Sequence, residues 1–237
     1  MLLSSARSGT NYFLSMYSHL FPQDITLKEI FREEGDSFRR LEEEFDLSRE
    51  SALQLARDNK AQLWRMVFES PHKRNRGIIA KIFYTHALHD DRIWDLIRRH
   101  CRVIHLIRKN QFDVFVSREI ALKTGKWQHT GEDDSTMQVS ITIDRNKLEE
   151  FIEGKKTDIE WARRMFGQQP DYHEVFYEDI SNDPMTCAKE ICAIFGKPPP
   201  KTAIIRQRRQ KTLPNRQIVI NYDDVSDLDA YTVGVAT

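Results

Sequence analysis

LLSSARSGTNYFLSMYSHL, residues 2–20, passes from two leucines through a run of small polar residues into a segment with apolar side chains at helical spacing. The pattern predicts a strand stub at 2–5, a tight turn and then a helix. In such a turn, small residues let successive backbone N–H groups point at an anion, and the helix dipole adds attraction. Arg7 adds a forked, charged donor, and Ser8 and Thr10 add hydroxyl groups. The segment therefore indicates a phosphate-binding turn, or alternatively an ordinary strand–helix turn capped by Ser8 or Thr10.

This turn differs from the one that binds ATP and GTP in many enzymes. The pattern GxxxxGK[ST] does not occur here, so no Lys-Ser/Thr pair is present to reach terminal phosphates and hold magnesium. The chain also has no pair of residues with the spacing of zinc ligands. We therefore expect neither an ordinary ATP or GTP site nor a bound metal.

Outward from the turn, predicted helices alternate with short apolar strands. The further strands are predicted at 78–84, 102–107 and 173–179. The helices are predicted at 10–20, 48–58, 61–69, 89–100, 112–124, 145–168 (with Gly154 as a weak point) and 183–195, while 28–50 is a charged stretch without an assignment. Strands separated by helices at this spacing indicate crossover units and a central parallel sheet covered on both faces. We therefore predict an α/β fold, with residues 1–237 forming a single domain.

Composition limits the possible partners. The chain has 36 Lys and Arg against 36 Asp and Glu, which excludes attachment to nucleic acid or membrane by bulk charge. No apolar run approaches 18 residues, and the N-terminus lacks a secretory signal pattern. The three cysteines are an odd, sparse set, typical of free thiols. We expect a soluble, cytoplasmic protein without a membrane span and without nucleic acid as a partner.

A second cationic motif follows the strand at 102–107. Arg108 and Lys109 come directly after it, and Ser117 lies about two and a half helical turns further on. At the carboxyl end of a parallel strand, these cations would project into the crevice where open sheets bind ligands, and Ser117 could reach a second phosphate. The alternative is a pair of solvated cations and an unremarkable helical serine.

Four segments together resemble one family. These are RSGTNY at 7–12, HLIRKNQFDVFVSREIA at 105–121, VFYEDISNDP at 175–184 and KTLPNRQIVINYDDV at 211–225. In this order they are similar to the motifs of the P-loop-type sulfotransferases that use 3′-phosphoadenosine 5′-phosphosulfate (PAPS). The second segment resembles the form found in bacterial carbohydrate sulfotransferases of the nodulation-factor and sulfolipid kind.

The resemblance implies a reaction and a set of binding residues. A sulfuryl group would move in line from PAPS to an acceptor hydroxyl on a carbohydrate, glycolipid or small metabolite, leaving the desulfated product PAP and needing no metal. The residues that it implies for PAPS binding are Arg7, Ser8, Gly9, Thr10, Asn11, Tyr12, Arg108, Ser117 and Lys211. Trp127 could form an acceptor-site wall, a gate or a packing anchor.

The resemblance also implies a catalytic base. Glu29 lies where bacterial carbohydrate sulfotransferases place a glutamate, and we expect partial burial to raise the pKa of this carboxyl group. His86 is the competing base, although its spacing from Lys81 differs from the family's Lys-x-His segment. Lys81 lies in an apolar strand and needs a partner there, so it is expected to reach the sulfuryl group or Glu29.

Two other functions fit parts of the sequence. A non-catalytic nucleotide- or RNA-binding module could use the basic segment 197–216, which contains seven Lys and Arg and no acid. A small-molecule kinase-like P-loop enzyme would need the lysine and metal-holding pair that the turn lacks.

Overall fold

The computed structural model describes residues 1–32, 37–71, 76–87, 90–127, 139–202, 213–230 and 232–233. A five-stranded parallel sheet lies at the centre of the described residues, in the order β2-β3-β1-β4-β5. The strands are β1 Leu2–Ser4, β2 Ile25–Glu29, β3 Ile78–Phe83, β4 Val103–Ile107 and β5 Tyr172–Phe176. The predicted α/β class with a parallel sheet is confirmed.

Helices occupy most of the connections between the strands. They are α1 Thr10–Leu20, α2 Phe38–Phe45, α3 Arg49–Asp58, α4 Lys60–Phe68, α5 Asp91–His100, α6 Gln111–Thr124, α7 Arg145–Phe166, α8 Tyr177–Asn182, α9 Pro184–Ile194, α10 Asn215–Ile218 and α11 Ser226–Asp229. Single 3₁₀ turns span Tyr84–Ala87 and Tyr222–Asp224.

The sheet buries apolar side chains on both faces, as the alternation of a strand requires. Leu2 of β1 packs in a cluster with residues of α1 and α9, whereas its neighbour Leu3 packs in a cluster with residues of α2 to α5 and α7. A third cluster joins α6 and the first half of α7 to Ile218, Val219 and Val225 near the C-terminus. The C-terminal segment is thereby held against α6.

The connections from β1 and β4 create a crevice at the carboxyl edge of the sheet. These strands are neighbours, but the chain leaves β1 through α1 on one face and leaves β4 through α6 and α7, the latter on the opposite face. In open α/β sheets, ligands bind where adjacent strands diverge in this way. The turn after β1 and Arg108 after β4 therefore lie on either side of this crevice.

The charged stretch 28–50 contains structure that the sequence did not reveal. β2 ends inside it, and α2 lies inside it with Phe38, Leu41 and Phe45 buried. The predicted strand at 173–179 is wrong beyond Phe176, since α8 begins at Tyr177. The other predicted elements agree with the structure to within two residues at each end.

The described part of the chain contains no helix that is both long and apolar enough to cross a membrane. The three cysteines, at 101, 187 and 192, are free thiols, as expected. Two of them, Cys187 and Cys192, are buried against α1.

Gly154 lies in the middle of α7, where a glycine destabilises the helix. It is exposed in the helix interior, and a Cβ atom there would meet nothing within 4 Å. Gly154→Ala should therefore raise the free energy of unfolding by roughly 0.5–1 kcal/mol, because alanine loses less backbone entropy on folding. Urea denaturation measures this change.

Gly196 provides the matched control. Its surroundings are equally open, but its φ of 62° lies in the left-handed region. Gly196→Ala should lower the free energy of unfolding by about 1 kcal/mol. Equal effects at the two glycines would contradict this account.

Candidate active site

The turn after β1 has the backbone of an anion-binding loop. Arg7 and Gly9 both have positive φ, 68° and 86°, and Ser8 lies buried between them. Gly9 is the N-cap of α1, and no side chain there caps the helix. The alternative of a turn capped by Ser8 or Thr10 is therefore wrong. The N-terminus of α1 instead retains the character that attracts anions.

Tyr177, the first residue of α8 after β5, sets the shape of this turn. A Cβ atom at Gly9 would lie 2.2 Å from Cδ2 of Tyr177, so only glycine allows this approach. The same ring packs edge-on against Tyr12, with 5.9 Å between the centroids, and lies under the Arg108 guanidinium at 4.8 Å. Tyr177 thus supports both cationic motifs. Its segment, 175–184, resembles a family motif, but the motif alone does not show that Tyr177 contacts the turn.

Arg7, Arg108 and Ser117 meet at the crevice. Arg7 donates from Nε and Nη2 to Ser117 Oγ at 3.0 and 2.9 Å, and Arg108 Nη1 donates to the Arg7 carbonyl oxygen at 3.4 Å. Burial, together with the nearby Arg108 charge, lowers the pKa of Arg7 to about 10. Two partly buried guanidinium groups side by side favour an anion between them.

Arg108 is held in this position from a second side. Its Nη2 donates to Asp113 Oδ2 at 2.7 Å, and its Nε is buried without a hydrogen-bond partner among the described residues. A buried guanidinium N–H without an acceptor is costly, so a bound anion would satisfy it.

Lys109 does not join the site. Its Nζ pairs with Asp179 at 3.1 Å and lies 4.4 Å from the Phe176 ring centroid, so the expectation that it projects into the crevice is wrong. Glu178 meanwhile accepts hydrogen bonds from the backbone N–H groups of Lys109 and Asn110. The acids after β5 therefore hold the start of α6 in place.

A shift in register brings Glu29 to the same face of the sheet as Lys81. Leu27 of β2 pairs with Ala80 of β3, but Glu29 pairs with Lys81, so Lys28 has no partner. Two steps along a regular strand return to the same face, whereas this bulge turns Glu29 to the opposite face from Leu27. Glu29 is thereby aimed at the α1 side of the sheet.

The cluster around Glu29 is linked to the phosphate turn. Lys81 Nζ lies 2.8 Å from Glu29 Oε1 and donates to Asn11 Oδ1 of α1 at 3.0 Å, with a side chain only 3% exposed. Arg32 Nη1 and His86 Nε2 lie 3.1 and 3.8 Å from Glu29 Oε2. The three residues predicted from the sequence as catalytic, Glu29, Lys81 and His86, therefore lie together beside the turn, with Glu29 in contact with the other two.

The pKa of Glu29 differs from the sequence-based expectation. Burial raises it, but the positive charges and hydrogen bonds of Lys81 and Arg32 more than offset burial and leave it below its ordinary value. The expected rise is therefore wrong for this arrangement. Glu29 is an ionised carboxylate at neutral pH.

His86 is neutral at pH 7, and the lone pair on its Nδ1 is occupied by a backbone N–H group. Burial lowers its pKa to about 4. Its Nδ1 accepts a hydrogen bond from the Phe83 N–H at 3.2 Å, so the single ring proton belongs on Nε2, facing Glu29. His86 is placed to orient Glu29.

Trp127 and Lys211 are the last two of the residues that the sequence analysis named. Trp127 is 47% exposed, and its carbonyl oxygen accepts a hydrogen bond from Arg7 Nη1 at 2.5 Å, which places the residue beside the turn. Lys211 lies outside the described residues. Within the described ranges, no group of three or more His, Cys, Asp or Glu side chains is arranged to hold a metal ion.

The chain resembles known proteins in sequence pattern and in fold. The family model described as "Sulfotransferase domain" matches residues 1–219, in agreement with the resemblance seen in the sequence. A search of curated proteins finds no match. The sulfotransferase domain from the curacin biosynthetic pathway superposes with a TM-score of 0.52 at 18% identity, covering 92% of this chain and 80% of that one. This likeness is one of fold.

Two other solved structures are similar to a lesser degree. The sulfotransferase from Alicyclobacillus acidocaldarius has 12% identity and a TM-score of 0.49, covering 96% of this chain and 90% of its own. The sulfotransferase domain of the Synechococcus PCC 7002 olefin synthase has 16% identity and a TM-score of 0.48, covering 99% and 88%.

Gly9→Ala tests the geometry of the phosphate turn. The added Cβ atom clashes with Tyr177 and forces the turn to open. We expect it to weaken PAP binding, measured by isothermal titration calorimetry, at least about tenfold, the equivalent of about 1.4 kcal/mol.

Gly125→Ala is the matched control, since its φ of 69° is equally strained but no atom lies within 4 Å of the added Cβ. It should leave the PAP affinity within about twofold of the original. Equal affinity of both variants for PAP would contradict the assignment of the turn.

Proposed function

The chain belongs to the sulfotransferase domain family, and we propose that it transfers a sulfuryl group from PAPS to an acceptor hydroxyl, as one catalytic domain over residues 1–237. The observation that carries the proposal is the continuous link from the phosphate turn through Asn11 and Lys81 to Glu29. It connects an anion-binding turn to a carboxylate that can accept a proton. The free thiols suit a reducing, cytoplasmic compartment.

The two cationic motifs account for the two charged ends of PAPS. The turn of Arg7, Ser8, Gly9 and Thr10, with Asn11 and Tyr12 behind it, binds the 5′-phosphosulfate. Arg108 and Ser117 bind the 3′-phosphate, which takes the place of the contacts that Ser117 now makes with Arg7. Lys211 adds a contact to the nucleotide by resemblance to the family.

The transfer step needs a base and a stabilised leaving group. Glu29 accepts the hydroxyl proton as the acceptor oxygen bonds to sulfur. The bond between sulfur and the phosphate oxygen breaks at the same time, and the electron pair stays with the leaving phosphate of PAP. Arg7 and the N-terminus of α1 stabilise the negative charge that grows on that phosphate. Since this charge is stabilised by fixed dipoles and cations, the step needs no metal.

Lys81 couples the two halves of the site. In the structure it pairs with Glu29 and holds the pKa of that carboxyl low. When its ammonium group turns from Glu29 to the anionic sulfuryl group, the carboxylate loses a stabilising charge and becomes a stronger base. Glu29 is thus activated when PAPS is present. We propose a carbohydrate, glycolipid or small metabolite as the acceptor, with Trp127 beside its site.

PAP should stabilise the protein against thermal unfolding more than ATP with magnesium does. PAP at about 100 times its Kd should stabilise the fold by about 2.7 kcal/mol, which corresponds to a Tm increase of roughly 5–10 °C. ATP with magnesium should raise the Tm much less, because the turn has no metal-holding pair. Differential scanning fluorimetry measures both. Equal or greater protection by Mg-ATP would favour a kinase-like enzyme instead.

Substitutions at Glu29 and His86 test which of the two residues is the catalytic base. Glu29→Gln should reduce turnover of PAPS by at least about 100-fold while PAP binding persists, since the amide cannot take the proton but keeps an oxygen toward Lys81. His86→Asn, in which Oδ1 can accept the Phe83 N–H, should retain transfer within about tenfold. Radiolabelled PAPS measures transfer. The reverse order of effects would make His86 the base.

A further inference from the structure

Arg108 is paired with a carboxylate through only one edge donor. Its Nη2 donates to Asp113 Oδ2 at 2.7 Å, while its Nε, on the same edge of the guanidinium group, is buried without a hydrogen-bond partner among the described residues. Arginine and a carboxylate frequently form two parallel hydrogen bonds, with one oxygen on each of two donors. Asp113 Oδ1 is the oxygen that would complete such a pair on Nε, and the structure holds it elsewhere.

Asn215 holds this second oxygen of Asp113. Asn215 is the first residue of α10 and is only 7% exposed, and its Nδ2 donates to Asp113 Oδ1 at 2.9 Å. The same nitrogen also donates to the two carboxylate oxygens of Asp229, at 2.9 and 3.0 Å. Because a carboxylate only accepts hydrogen bonds, the nitrogen side of the amide must face both acids. The amide thus bridges two carboxylates.

Asp229 fixes the orientation of this amide. Its carboxylate also accepts hydrogen bonds from Asn110 Nδ2 at 3.1 Å and from the Tyr222 hydroxyl at 2.8 Å. Asn110 is the N-cap of α6, and its Oδ1 accepts from the Asp113 N–H at 2.9 Å. The C-terminal segment and the start of α6 are therefore joined in one hydrogen-bond network, which keeps Asn215 directed at Asp113.

We propose that Asn215 is a positioning residue for the 3′-phosphate of PAP: by holding Asp113 Oδ1, it keeps Arg108 Nε available to that phosphate group. This inference rests on the proposed function, in which Arg108 binds the 3′-phosphate. Without the amide, Asp113 can turn both of its oxygens to the guanidinium group. The phosphate would then have to displace a carboxylate oxygen from Nε, and its binding would be weaker.

A comparison of PAP with 5′-AMP tests the proposal, because 5′-AMP lacks the 3′-phosphate. Asn215→Ala should weaken PAP binding by about tenfold or more and leave the affinity for 5′-AMP within about twofold, as measured by isothermal titration calorimetry. Asn215→Leu, which keeps most of the side-chain volume, should give the same result and is measured instead if the alanine variant does not fold. Loss of a purely structural contact would weaken the binding of both nucleotides alike.

Asn221→Ala is the matched control. Asn221 also fixes the C-terminal segment, since its Nδ2 donates to the Ile143 carbonyl oxygen and its Oδ1 accepts from the Ile143 N–H, both at 2.9 Å. These bonds tie the segment to the chain just before α7 rather than to the start of α6. Asn221→Ala should therefore lower the thermal stability but leave the ratio of PAP affinity to 5′-AMP affinity within about twofold.

A double variant tests whether Asn215 acts through Asp113. In the Asp113→Ala background there is no carboxylate at this position for the amide to hold, so adding Asn215→Ala should change the affinity ratio by less than about twofold. A further loss of PAP affinity in that background would mean that Asn215 acts by another route, such as through Lys211 in the preceding segment, and would overturn the inference.

The same titrations distinguish failure of this inference from failure of the proposed function. If the unaltered protein binds PAP no more tightly than 5′-AMP, the proposed binding of the 3′-phosphate is contradicted, and the inference is overturned with it. If the unaltered protein prefers PAP but Asn215→Ala weakens both nucleotides equally, or neither, only the inference is overturned. An equal loss of the affinity ratio in Asn221→Ala would also overturn it.

Discussion

The buried ion pair between Lys81 and Glu29 is the interaction on which the rest of the site depends. A lysine ammonium in the interior of a sheet costs several kcal/mol unless an opposite charge and hydrogen bonds compensate for the lost hydration. Glu29 supplies the charge and Asn11 the hydrogen bond, which ties β2, β3 and α1 together at the crevice. Loss of either charge alone would cost about 3–5 kcal/mol. The group proposed for catalysis thus also contributes to the stability of the fold.

The formal net charge of the protein is zero, but positive charges are clustered at the crevice. Arg7 and Arg108 face each other across the crevice. Zero net charge argues against general attraction to polyanions, but it does not prevent a local positive site from forming where the fold brings cations together. The site formed by Arg7 and Arg108 suits a small anion with more than one charged group.

Most helices and strands could be predicted because their signals are local. Strand β4 and helix α1 are clear in the sequence, since their apolar spacing matches one period throughout. Strand β2 was missed because ITLKE is short, half polar and followed by acids, so only its pairing with β3 makes it a strand. The strand at 173–179 was overextended because its end at Phe176 depends on Glu178 binding the backbone N–H groups after β4, a contact between residues far apart in sequence.

The α/β class, the turn after β1 with Arg7 and Gly9, and the cation that follows β4 can be predicted from the sequence alone, because they depend on spacing and on the conformational freedom of glycine. By contrast, strand pairing and packing are needed to show that Glu29 faces Lys81, that Lys109 turns away to Asp179, and that the ring proton of His86 belongs on Nε2. The face of a strand residue depends on register, and one bulge reverses it. The pKa of a side chain depends on its burial and on neighbouring charges, which elements distant in sequence bring together.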